Sequence, residues 1–124
     1  MTPVPLIHHP VAVEYFFREG CYITEAWNGA VDEAVSIARA RVLPGVTTRW
    51  HRLRGVTERY LILEGQGCVE VGEEPPAKVG PGAMVLIPPE TPQRITNIGN
   101  IDLIFLAICT PRFIPACYQD VEAR

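Results

Sequence analysis

The sequence lacks any long apolar run. The longest, Leu103 to Cys109, is far short of the ~20 residues a helix needs to span a bilayer. Its first residues contain prolines and histidines but no basic segment followed by an apolar stretch, so no secretory signal is expected and the protein is expected in the cytoplasm. Cysteine is sparse. Cys21, Cys68, Cys109 and Cys117 show no C-x-x-C spacing, which argues against a zinc knuckle or disulfide framework and for free thiols in a reducing compartment. An excess of positive charge is missing too: the net charge is -3, and arginines gather only at Arg49, Arg52 and Arg54. Such a chain has no electrostatic footprint for nucleic acid. No internal repeat, low-complexity tract, phosphate-binding glycine loop or Ser-His-Asp order is present, and Gly65-x-Gly67 reads as a hairpin turn rather than a dinucleotide fingerprint.

What is present fits one ordinary globular domain over residues 1–124, 48% hydrophobic and 20% charged. Residues 1–10 are proline-rich and are expected to run extended along a surface, and residues 110–124 to form a C-terminal tail. Between them, runs of β-forming residues alternate with turn signals. Val11 to Phe17 and Cys21 to Trp27 read as a hairpin around Arg18-Glu19-Gly20. Ala34 to Leu43 is rich in alanine, but its small residues alternate with large ones at period two and Pro44-Gly45 ends it, so a strand is expected rather than a helix. Further strands are expected at Cys68–Val71, Met84–Ile87, Gln93–Ile98 and Ile101–Cys109. With no convincing helical period, the fold class is all-β, a barrel or sandwich.

Residues 45–65 read as two short strands joined by a turn at Arg54-Gly55. Alternation puts Arg49, His51 and Leu53 on one face of the first strand, and Glu58, Tyr60 and Ile62 on one face of the second. If both faces look into one interior, an imidazole and a carboxylate converge. The spacing Gly45, His51, Glu58, Gly65 resembles the first motif of the cupin superfamily, with Leu53 where a second histidine is usual. Gly82, Pro88 and Asn97 resemble the second motif, with Glu90 at a glycine position and Gln93 at a histidine position. The resemblance implies a cupin-type double-sheet, jelly-roll-like β-barrel, commonly a homodimer.

It also implies a site. His51, Glu58 and Gln93 would be ligands of a divalent metal such as zinc, iron, nickel or manganese, serving isomerase, lyase or oxygenase chemistry on a small molecule. The alternative is a metal-free cluster of the same three residues in a non-catalytic small-molecule pocket, which Leu53 favours because it removes a donor. Tyr60 and Arg49 share the inward parity and are candidate substrate-binding residues, Arg49 for a carboxylate or phosphate. Arg49 could instead pair with Glu58 or a surface acid. Glu25 is a further pocket carboxylate. His8 and His9 read as solvated, Cys109 as a buried structural thiol, Trp50 as facing away from His51, and Phe113 and Tyr118 as packing the tail over the outside of the sheet or near a barrel end.

Overall fold

A computed structural model describes residues 5–9 and 13–122. Eleven strands form: β1 (Glu14–Phe17), β2 (Cys21–Trp27), β3 (Ser36–Val42), β4 (His51–Leu53), β5 (Thr57–Glu64), β6 (Gly67–Val71), β7 (Ala77–Val79), β8 (Met84–Ile87), β9 (Gln93–Asn97), β10 (Leu103–Thr110) and β11 (Tyr118–Asp120). One 3-10 turn, Pro115–Cys117, is the only helical element among the described residues, and none of their helices could cross a membrane. The strands make a six-stranded sheet in the order β1-β2-β3-β10-β5-β8 and a five-stranded sheet in the order β11-β4-β9-β6-β7. All pairings are antiparallel. The two sheets face each other as a jelly roll, the double-sheet all-β architecture expected, and are not joined by hydrogen bonds into a closed barrel.

Period-two alternation decides what lies between the sheets. In β5, Glu58, Tyr60 and Ile62 are buried while Arg59, Leu61 and Leu63 turn outward. In β9, Gln93, Ile95 and Asn97 are buried. The main apolar core, including Val42, Ile62, Ile95, Leu103 and Phe105, fills one end of the interior. A second cluster of Leu53, Val56, Cys109, Cys117 and Tyr118 fills the other. The polar site lies between side chains of β4 and β9 on one sheet and β5 and β10 on the other.

The alanine-rich segment is strand β3, and its small residues Ser36, Ala38 and Ala40 face inward. The C-terminal segment departs from expectation. Tyr118–Asp120 pair with β4 as an edge strand rather than forming a tail, and of the two placements expected for Tyr118 the structure has it buried in the cluster at one end of the interior, not over the outside. The four cysteines are free. Of the N-terminal segment, residues 5–9 are exposed and irregular, with His8 edge-on to the Trp27 ring; the expectations for residues 1–4, 10–12 and 123–124 lie outside the described residues.

Candidate functional site

The two halves of the first motif belong to different sheets. β4 pairs with β9, putting His51 opposite Gln93, while β5 pairs with β10, putting Glu58 opposite Cys109. The turn at Arg54-Gly55 therefore carries the chain from one sheet to the other, and His51 and Glu58 enter the interior from opposite walls. His51 and Gln93 are 1% and 0% exposed, Glu58 8%.

A chain of hydrogen bonds fixes Glu58. The Tyr60 hydroxyl donates to Gln93 Oε1, and Gln93 Nε2 donates to Glu58 Oε1, each at 2.5 Å. The second oxygen, Oε2, accepts among the described residues only from the Cys109 thiol, at 3.8 Å. Burial, reinforced by the Glu19 carboxylate, pushes the Glu58 carboxyl up to about 7, against the opposing pull of His51, Gln93 and Cys109. Burial and the neighbouring Glu58 hold the Tyr60 phenol well above its usual range, so Tyr60 serves as a donor to Gln93.

His51 is held just as firmly. Its Nδ1–H donates to the Arg49 carbonyl at 2.6 Å, and its ring stacks on Tyr118 with centroids 5.3 Å apart. Nε2 is thereby left facing Glu19 Oε1 at 3.6 Å. The Tyr118 hydroxyl is buried and has no hydrogen-bond partner among the described residues. An unpaired buried hydroxyl is costly, which marks this end of the interior as a place where a polar group is wanted.

The register also explains an opening beside Glu58. Cys109 lies between Glu58 and Ser36, and in the next row Ala107 lies between Tyr60 and Ala38, which is opposite Glu25. Ser36, Ala38 and Ala107 are too small to fill the space their neighbours enclose, and a cavity of about 60 Å³ remains. Glu19, Glu25 and Glu58 line it, with Tyr15, Phe17 and Phe113 as aromatic walls.

Of the residues expected in the site, His51, Glu58, Gln93 and Tyr60 come together, and Glu25 lines the cavity. Arg49 does not. Residues 48–50 precede β4 and are not in a strand, so the alternation that predicted an inward Arg49 does not reach it. Its guanidinium is exposed and pairs with Asp120 at 2.5 Å. Tyr60 reaches Gln93 and Phe105 rather than the cavity wall, so it acts on Glu58 through Gln93. Sequence reasoning missed Glu19 and the inward Tyr118. Glu19 carried only a turn signal, and nothing local showed that its carbonyl would accept from the Arg49 amide, bringing the turn against the start of β4.

A divalent metal on His51, Glu58 and Gln93 does not fit this arrangement. The Gln93 oxygen is taken by Tyr60 and its N–H by Glu58, so no amide lone pair faces the carboxylate. Leu53, at the fourth position, is 4% exposed and packed in the second apolar cluster. No group of three His, Cys, Asp or Glu side chains among the described residues is disposed to hold a metal ion.

The two-sheet jelly roll with an imidazole, a carboxylate and an amide directed inward defines a cupin, and the chain belongs to the cupin family: the family's cupin-domain model matches residues 38–109. It is 34% identical over 110 residues to the uncharacterized protein MJ1618 of Methanocaldococcus jannaschii, with 87% of this chain and 85% of that one covered. Among solved structures it is similar to Pac13, a nucleoside dehydratase, with a TM-score of 0.76, 18% identity, and 94% and 92% of the two chains covered. A Streptomyces Pac13 variant with a histidine replaced by glutamine was solved with uridine. Lactobacillus farciminis oxalate decarboxylase, in a formate complex, is similar with a TM-score of 0.76 and 20% identity; 89% of this chain is covered but only 33% of that one.

Proposed function

We propose that the protein is an enzyme of the lyase or isomerase type that binds a small polar molecule in the cavity beside Glu58 and moves a proton there. The observation that carries this reading is Glu58 itself. One oxygen is anchored by Gln93, the other accepts only from the weakly donating Cys109 thiol among the described residues, the side chain lines the cavity, and its pKa of about 7 lets it both take and return a proton near neutral pH. His51, oriented through Nδ1 and facing Glu19, is the second proton-bearing group. The dehydratase with the same fold supports the reading, since loss of water is a proton-transfer reaction. Oxygenase chemistry is the reading supported least, because the donor set does not suit a metal.

Solvent exchange tests it. In D2O, the chain is expected to catalyse deuterium wash-in at carbon in at least one member of a library of small hydroxyl- and carbonyl-bearing molecules. Glu58→Gln should slow that exchange about 100-fold or more, and prior treatment with a chelator should not. Exchange indifferent to Glu58→Gln, or lost with chelator, would overturn the assignment.

We further propose a homodimer formed through the outer face of the six-stranded sheet. Leu63, Met84 and Leu86 are 41%, 57% and 63% exposed on β5 and on β8 at the free edge, a patch that monomers rarely leave uncovered. Light scattering should give twice the chain mass, and Leu86→Lys should return it to that of a single chain. A monomeric wild type contradicts the proposal.

A further inference from the structure

We infer that the cavity selects its ligand by charge: it takes a small molecule that offers hydrogen-bond donors and is neutral or cationic, and it rejects carboxylates and phosphates. This rests on the small-molecule reading of the same site and adds the class of molecule.

Three carboxylates, Glu19, Glu25 and Glu58, line the cavity, and no lysine, arginine or histidine does so among the described residues. The arginines that could offset them are occupied elsewhere. Arg49 is bound to Asp120, Arg112 to Glu33 and Asn28, and Arg59 to Thr110. Arg18 lies over the Tyr118 ring, 4.6 Å from its centroid. His51 Nε2 is directed at Glu19, and His8 and His9 line a separate groove with Glu25, but none of the three lines this cavity.

The acids alone would not make a site. What marks one is Glu58, a cavity-lining side chain more than nine-tenths buried whose Oε2 accepts, among the described residues, only from the Cys109 thiol at 3.8 Å. A thiol is a weak donor, and a ligand N–H or O–H supplies a stronger one. A carboxylate or phosphate would instead bring a like charge against Glu58 and Glu19 with no cation to offset it. The walls add a second requirement. Tyr15, Phe17 and Phe113 line the cavity and give a ligand an apolar surface beside the donor group. A volume of about 60 Å³ encloses only a few heavy atoms, so the expected ligand is a small amine, alcohol or amide.

The test uses the full chain and three probe series, built on methyl, ethyl and propyl groups, each as the amine, the alcohol and the carboxylate. Dissociation constants are read from amide chemical-shift changes at about pH 8, where Glu58 is mostly ionised. Amines and alcohols should shift the amides of Phe17, Ile23 and Phe113 and bind at least about tenfold tighter than the matched carboxylates. Glu25→Gln, at a partly exposed position, should narrow that ratio. Ala38→Leu, which fills the cavity, should abolish the shifts. Carboxylates binding at those amides as tightly as the amines would overturn the charge inference and leave the pocket standing. No binding by any probe, or binding unaffected by Ala38→Leu, would overturn the pocket reading and this inference with it.

Discussion

Glu58→Gln is expected to stabilise the folded protein at alkaline pH by about 3 kcal/mol, the equivalent of moving a carboxyl from its ordinary 4.5 to about 7. The sign follows from proton uptake. Between those two values the folded chain holds a proton on Glu58 that the unfolded chain has released, so stability falls as pH rises through that window. Above about 7 both states have lost the proton, and the full cost of burying the charge is present. Below about 4.5 both are protonated, and the cost is gone. Glutamine keeps an oxygen to accept from Gln93 Nε2 and carries no charge at any pH. Urea denaturation at several pH values should therefore show a wild-type slope between about pH 5 and 7 that the variant lacks. A gain of stability on removing a buried charge is what a residue kept for chemistry rather than for the fold would produce.

Gly65→Ala is expected to cost about 3 kcal/mol, and it touches no site residue. Gly65 has a φ of +84°, and a Cβ there would stand 2.7 Å from the Asp102 carbonyl oxygen and 2.9 Å from Leu103 Cα. Both neighbours are backbone in the segment entering β10, so no side chain can swing aside. Thermal unfolding should show a fall of about 10 °C or more, while the amide shifts around Glu58 in the remaining folded protein stay in place. Gly45 makes the contrast. Its φ is +79°, but nothing lies within 4 Å of a Cβ built on it, so alanine there meets the conformational cost alone.

Most of the strands were legible, because turn residues and period-two alternation are local properties; that β4 and β5 belong to different sheets was not. Glu90 shows how a departure from a motif can conceal an unchanged backbone. It stands at a usual glycine position and keeps the left-handed conformation, φ 62°. Its amide donates to the Leu53 carbonyl, and its carboxylate accepts from the Gly55 amide at 2.7 Å. Asn97, the motif's last residue, is explained likewise: its side chain donates to the Val42 and Ile101 carbonyls and accepts from the Gly99 amide, closing a turn. Alternation failed where the strand stopped. Arg49 lies two residues before the start of β4, and the short β11 has too few residues to show a period. Glu19 and Tyr118 reach His51 from distant segments, through contacts that no local pattern encodes. The cavity was the least legible feature, since it arises where Ser36, Ala38 and Ala107 fall into register beside Glu58.

The central claim is that Glu58 is a buried carboxyl poised to exchange a proton at neutral pH. The most direct measurement follows its side-chain carboxyl carbon by NMR, in protein labelled with 13C-glutamate and assigned by comparison with Glu58→Gln. The account predicts a titration midpoint near 7, raised further in Gln93→Leu, where the N–H that favours the carboxylate is lost. A midpoint near the ordinary 4.5, unmoved by Gln93→Leu, would contradict it.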